Sequence, residues 1–411
     1  MNIDFNQMLG RYADVAVQVG VNVQTGQELI VNADLNAAPL VREIVRSAYQ
    51  CGAPLVHVFW GDEQVTLNRF KHAPRDSFDQ APEWPIQSRV GLIDSGAAML
   101  TITADDPDLL REQDPLLISA MQRAASMRGV PLRDRVTNAA LNWAIVAAPS
   151  QGWAARVFPD AAPDQQQLRL WEAIFATCRI DQADPVATWK RHIADLATRS
   201  AHLNGKQYSA LAYHGPGTDL TIGLVEGHRW VSGSMSSQRG VEFVANMPTE
   251  EVFTMPHRMR VDGTVRSTKP LSLAGTLVED FGLTFREGRV TDVQAARGEE
   301  VLRRHVATDE GAARLGEVAL VPERSPIARS KRIFYNTLFD ENAACHIALG
   351  MALSFNMDGG RTKTPEQFAA AGGNISAIHT DFMIGSAEID IDGVREDGSR
   401  EPVMRQGEWA F

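Results

Sequence analysis

His379 and Asp381 stand two positions apart in IHTDFMIGSAEIDIDG, residues 378–393. Around them Phe382, Ile384, Ile389 and Ile391 are apolar, with acids and glycine between several of them. That alternation predicts strand, or two strands joined at Gly385-Ser386. Residues i and i+2 of a strand point to one face, so an imidazole and a carboxylate stand side by side. Such a pair is either a satisfied polar contact or half of a metal site. More acids and histidines gather in NMPTEEVFTMPHRMRVDGTVRSTKPL (246–271), GEVALVP (316–322) and FYNTLFDENAACHIALGMAL (334–353). Each stretch is weak alone. A single histidine is more often a hydrogen-bonded core residue than a ligand, and Glu250-Glu251 between Thr and Val fits a solvated turn. Glu317 is odder. It opens a buried-looking strand, where an unpaired carboxylate is costly.

Several familiar signatures are absent: there is no GxSxG, no HExxH and no GxxxxGKS/T. GPGTDL at 215–220 carries two glycines of a dinucleotide fingerprint without the third, and it reads as a turn between strands that Asp219 could cap. The 411 residues suggest two or three domains, with 44% apolar and 22% charged residues, as in an ordinary globular chain. A formal net charge of -11 argues against a phosphate-binding surface, hence against nucleic acid as a partner. Three cysteines (Cys51, Cys178 and Cys345) are widely spaced and form no CxxC, which fits free thiols in a reducing compartment. The N-terminal MNIDFNQMLGRYADVAVQVG has no basic n-region, and no apolar run approaches the roughly 20 residues of a membrane span. A cytoplasmic protein without membrane contact is expected.

The elements that must position these residues fall into two textures. Residues 1–205 alternate helix and strand signals. A helix is expected over 4–18, a strand in GQELIVNA (26–33), and a helix in APLVREIVRSAYQCG (38–52) stopping at Gly52. PLVHVFW (54–60) reads as a buried strand, and AMLTITA (98–104) and NWAIVAAP (142–149) repeat the pattern. Helices at 168–180 and 185–203 close this half. The rhythm predicts an α/β N-terminal domain with a mostly parallel sheet. From 206 to 411 the signals are antiparallel strands with REGR as a hairpin tip, which predicts an α+β C-terminal domain with a mostly antiparallel sheet. GEEVLRRHVAT (298–308) and ENAACHIALGMAL (341–353) read as its helices. Glu341 and His346 cannot share a helix face, since five residues turn about 500°, so Glu341 is expected at the helix start or in the loop before it. Cys345 beside His346 is expected to pack into the core, although a thiolate there could also be a ligand.

Taken together, NMPTEEVF, VDGTVRSTKPL, GEVALVPERSPI, FYNTLFDENAACHIALG and HTDFMIGS resemble the metallo-aminopeptidases of the aminopeptidase T, aminopeptidase S and PepS group. YADVAVQVGVNVQTGQELIV resembles them too, so the likeness runs over nearly the whole chain. It implies a metal-dependent aminopeptidase acting on short peptides, with a two-metal site in the C-terminal domain and a homodimer enclosing the active sites. Carried over residue by residue, the family's metal ligands fall on Glu251, Glu317, Glu341, His346, His379 and Asp381. Four carboxylates and two imidazoles suit Zn²⁺ or Co²⁺, with Mn²⁺ or Mg²⁺ as alternatives. Glu317 is also the expected proton shuttle. One position departs from the family: its catalytic tyrosine, seven residues beyond the helix histidine, is Leu353 here. On a helix residue 353 would point where His346 points. A tyrosine there could donate to the oxyanion of a tetrahedral intermediate, and leucine cannot. Tyr335 and Tyr213 are other candidate donors.

Two competing readings follow from the same residues. His346, His379 and Asp381 have the composition of a facial triad, and ring-opening iron dioxygenases of related fold resemble this family. A catalytically weak metal-binding homologue is the other. The number of metal ions per chain separates the readings.

Overall fold

The structure, a computed structural model, describes residues 4–273 and 276–411. The chain forms two compact units. One spans Met1–Ile193, Ser234–Pro248 and Ile333–Asn336, the other Ala194–Gly233, Thr249–Arg332 and Thr337–Phe411. In the first, β1 (Leu29–Asp34), β2 (Val56–Gly61), β3 (Ala98–Thr103) and β4 (Trp143–Ala147) form an all-parallel sheet in the order β2-β1-β3-β4. Parallel neighbours need crossovers, and helices such as Ala38–Gln50 and Trp84–Asp94 supply them. The expected helix at 4–18 is Phe5–Val15, continued as a wider π turn to Gly20. PLVHVFW differs from expectation: β2 is an edge strand, its residues are half-buried or exposed, and Trp60 is 46% exposed. An aliphatic run does not reveal whether a strand has one neighbour or two.

The helix Pro185–Lys206 carries the chain from the first unit into the second. There follow β5 (Ala210–Gly215), β6 (Thr218–Leu224) and β7 (Val231–Ser232). A small hairpin of the first unit comes next, β8 (Met235–Ser236) with β9 (Glu242–Phe243). The second unit resumes with β10 (Val252–Thr254), β11 (Pro256–Arg266), β12 (Leu271–Leu273), β13 (Thr276–Arg286) and β14 (Arg289–Arg297). It ends with β15 (Leu315–Leu320), β16 (His346–Gly350), β17 (His379–Met383), β18 (Asp390–Val394), β19 (Arg400–Arg405) and β20 (Glu408–Trp409). Glu287 and Gly288 form the expected hairpin tip with φ of 48° and 77°, a left-handed pair that favours glycine at the second position.

Among the described residues, these strands pair antiparallel in two sheets. One is large, running β12-β13-β11-β6-β5-β18-β19-β20 with β14 on β13. The other has five strands in the order β17-β16-β15-β10-β7. IHTDFMIGSAEIDIDG divides as expected, but β17 enters the five-stranded sheet and β18 the large one. The back of the five-stranded sheet packs on the large one. Phe382 meets Phe281 at 5.3 Å between ring centroids, and Cys345 Sγ lies 3.4 Å from Met404 Sδ.

The expected helix at 341–353 is not one. Glu341–Ala343 make a single 3₁₀ turn and His346–Gly350 is the fully buried strand β16. Alanine and leucine favour helix in isolation, but two flanking strands and burial on both faces override that preference. The alternation is then informative. Cys345, Ile347 and Leu349 point to the packed back, whereas His346, Ala348 and Gly350 point to the front.

Candidate metal centre

The register across β15, β16 and β17 builds the site. Glu317 pairs with Ala348, which pairs with Asp381, while Gly350 pairs with His379 and Ala319 with His346. Paired residues in an antiparallel sheet share a face, so Glu317, His346, His379 and Asp381 converge on the front. The smallest side chains lie between them: Ala348 separates the two acids, and Gly350 stands opposite His379. Gly350 has φ of 103°, and a Cβ there would meet the Ile378 carbonyl oxygen at 2.1 Å, so no other residue fits the strand end. Glu251 enters from the segment just before β10. Glu341 enters from its 3₁₀ turn. The backbone N–H of Glu250 donates to Asn342 Oδ1 at 2.7 Å, stapling these two acid-bearing segments together.

The side chains form two overlapping trios, Glu251–Glu317–His346 and Glu317–His379–Asp381, each with ligand atoms within 4.8 Å of one another. His346 Nε2 is 3.2 Å from Glu251 Oε2 and 3.6 Å from Glu317 Oε1. His379 Nε2 is 3.7 Å from Glu317 Oε2 and 3.4 Å from Asp381 Oδ1. The two oxygens of Glu317 thus face different histidines. Each imidazole is turned by a main-chain carbonyl on its far side: His346 Nδ1 lies 3.2 Å from Ala344 O and His379 Nδ1 2.7 Å from Met351 O. With Nδ1 donating its proton to a carbonyl, Nε2 presents a lone pair to the centre, as ligand histidines do.

Burial first, then the charges of Asp381 and Glu251, raise the Glu317 carboxyl above its ordinary range. Burial and the same two neighbours raise Glu341 further. Burial opposes charge on His346 and His379, but the facing carboxylates outweigh it, and His379 is pushed up to about 9. Burial likewise raises Asp381, and the two histidines outweigh it to leave the group low. Four carboxylates held this close repel one another in the absence of cations.

Divalent metal fits these residues. The Oδ1 of Asp381 is buried and makes no well-formed hydrogen bond, its facing polar group being His379 Nε2 at 3.4 Å, so it is an acceptor that a cation would satisfy. The donor set of carboxylate oxygens and imidazole nitrogens suits borderline divalent metals. Charge also closes: four carboxylates with neutral histidines carry −4, which two divalent ions cancel.

Cys345 is no ligand candidate in this arrangement. It lies on the back face, its thiol raised to about 11 by burial. Leu353 does not share a helix face with His346, because β16 ends at Gly350 and residue 353 lies in the loop beyond. That loop nonetheless starts at Met351, whose carbonyl orients His379. Tyr213 is wholly buried in β5 with its hydroxyl unpartnered, and Tyr335 belongs to the first unit beneath the guanidinium of Arg156, 4.6 Å from its ring. The sequence reading missed Asn342, Ala348 and the carbonyls of Ala344 and Met351. An Asn directly after Glu341 was the one visible signal.

The chain belongs to the M29 metallopeptidases: residues 5–409 match the family model described as thermophilic metalloprotease (M29). Aminopeptidase 2 of Geobacillus stearothermophilus is 48% identical over 403 residues, covering 98% of both chains. Aminopeptidase T of Thermus thermophilus is 44% identical, covering 98% of this chain and 99% of its own. The solved structure of wild-type AmpT from Thermus thermophilus superposes with a TM-score of 0.94 at 43% identity, covering 99% of this chain and 100% of that one. The α/β and antiparallel architecture is therefore shared.

Proposed function

We propose that this protein is a metal-dependent aminopeptidase that removes N-terminal residues from short peptides at a two-metal centre. The observation that carries the two-metal form is the double-faced Glu317: one carboxylate belongs to both ligand trios, as a bridge between two cations requires. Glu251 and His346 would hold one ion and His379 and Asp381 the other, with Glu341 beside them. When bound, the ions supply Lewis-acid polarisation of the scissile carbonyl and acidification of the attacking water.

The chain's own residues do the rest. The carbonyls of Ala344 and Met351 hold the imidazoles in their ligating tautomer. Glu317 is the expected proton shuttle, its two oxygens turned to different histidines, and Glu341, which lies in neither trio, is a second carboxylate for that role. Such a carboxylate takes a proton from the water and returns it to the leaving amine. The surrounding acids attract the substrate's free α-ammonium, which gives exopeptidase character. Zinc or cobalt is the expected metal.

The reading includes a cytoplasmic homodimer. No helix among the described residues is long and apolar enough to cross a membrane, and Cys51, Cys178 and Cys345 form no disulfide. The dimer rests on the family resemblance, and light scattering at micromolar concentration tests it. The ring-opening dioxygenase is not favoured, since the relatives are named aminopeptidases. The test is hydrolysis of aminoacyl anilides by metal-loaded protein and its loss on chelation. Glu251→Ala and Asp381→Ala should each lose at least one metal and nearly all turnover. Full occupancy and activity in both would reject the assignment.

A further inference from the structure

The front face carries a second feature beside the acids and histidines. Ala319 pairs with His346 on one side and with Phe253 of β10 on the other. Phe253 therefore shares the front face with the ligands, two strands from His346 and about 10 Å away at strand spacing. It is half-buried, although aromatic rings of this size dominate protein cores. Phe355, also half-buried, meets it edge-on with ring centroids 6.2 Å apart. The guanidinium of Arg361 lies 5.6 Å from the Phe355 ring.

The loop that bears Phe355 is fixed at both ends. At Met351 its carbonyl accepts from His379 Nδ1 at 2.7 Å. At Asn356 the side-chain Nδ2 donates to the carbonyls of Arg229 and Phe253 at 3.1 and 3.3 Å. The loop thus runs from a ligand histidine on β17 to the aromatic residue on β10. Met351 is 41% exposed and Leu353 half-buried along the way. Beside a cluster of six ionisable groups, this is a run of incompletely buried apolar side chains held in place by hydrogen bonds from side chains to main-chain carbonyls.

We propose that Phe253 and Phe355 form the wall that receives the side chain of the substrate's N-terminal residue, so that the enzyme prefers large apolar residues, leucine and phenylalanine, at that position. The inference rests on the aminopeptidase reading and deepens it. A residue whose amine and carbonyl are held at the centre places its α-carbon in front of the sheet, and the aromatic pair is the apolar surface next to it on the β10 side. Burying that side chain completes the burial of the two rings.

The test uses full-length, metal-loaded enzyme and a series of aminoacyl p-nitroanilides, Ala, Leu and Phe, which vary the N-terminal residue alone. Wild type should favour Leu and Phe over Ala by about tenfold or more, the discrimination that one or two well-buried apolar groups supply. Phe355→Ala and Phe253→Ala should lower kcat/KM on Leu and Phe about tenfold more than on Ala. Metal content is measured alongside. Phe253→Leu, which keeps an apolar side chain in the strand, should shift preference from Phe towards Leu even where the alanine variant folds poorly. Equal losses on all three substrates would overturn the subsite. So would variants that alter only the preference for the second residue, read with Ala-Gly and Ala-Phe dipeptides. Wild type that cleaves none of the anilides would remove the aminopeptidase reading itself and the subsite with it. Cleavage with no preference among them would remove the subsite alone.

Discussion

Ala348→Val tests the geometry of the centre at the one position where the sheet leaves room for it. Ala348 pairs with Glu317 on one side and Asp381 on the other. At antiparallel Cα spacings of about 5 Å, the two acids stand about 10 Å apart with the alanine methyl between them. Two ions at the usual separation of about 3.5–4 Å, with carboxylate bonds of about 2.0–2.2 Å, would occupy the space over that methyl. Valine suits a strand, so the backbone tolerates it. Its two extra methyl groups enter the volume of the ions. Overpacking costs about 1–3 kcal/mol. The larger effect is on metal linkage, which stabilises a protein by about 4 kcal/mol when metal is present at a thousand times its Kd. The assay compares melting of wild type and Ala348→Val in chelator and in excess metal, with elemental analysis of each. Wild type should gain several degrees from metal. The variant should melt a few degrees below wild type in chelator, gain little from metal and hold fewer than two ions. A variant that binds two ions and gains the wild-type stabilisation would refute the placement of the centre over Ala348.

Metal-free protein should lose stability as pH rises. Glu317, Glu341, His346 and His379 all have folded pKa values raised above the unfolded ones, so their contributions are present at low pH and lost through the folded pKa. For His379 the window runs from about 6.5 to about 9 and is worth up to about 3 kcal/mol; melting in chelator that is unchanged or higher at pH 9 than at pH 6 would contradict this. Glu317→Gln should lose metal together with activity, whereas Glu341→Gln should keep at least one ion and lose turnover, a split read by elemental analysis beside kcat. Because the family resemblance places a tyrosine at position 353, Leu353→Tyr should raise kcat on an aminoacyl anilide at unchanged metal content, an oxyanion donor being worth about 10²–10³ in rate; a folded, metal-loaded variant that is no faster shows that residue 353 is not the missing donor.

The site was legible where the chemistry is carried by residue type and strand period. His379 and Asp381 do share a face, and the six acids and histidines named from the resemblance lie in one unit, five of them in the two trios. It was illegible where tertiary context decides. ENAACHIALGMAL has the composition of a helix, and only burial between β15 and β17 makes its second half a strand. That error placed Leu353 on the same face as His346, although it lies in the loop past the strand end. PLVHVFW reads as buried because sequence carries no sign that β2 ends its sheet. The hydrogen bonds that the two histidines donate to the carbonyls of Ala344 and Met351 are invisible in principle, since every residue has a carbonyl. The same holds for the staple from Glu250 to Asn342, which joins segments 92 positions apart.

The central claim is a two-ion centre built from these six residues. Elemental analysis of purified protein, titrated from the chelated state and followed by aminoacyl anilide hydrolysis, tests it most directly. The account predicts two divalent ions per chain, with activity appearing as the second site fills. A single iron per chain, or full activity with one ion or none, would contradict it.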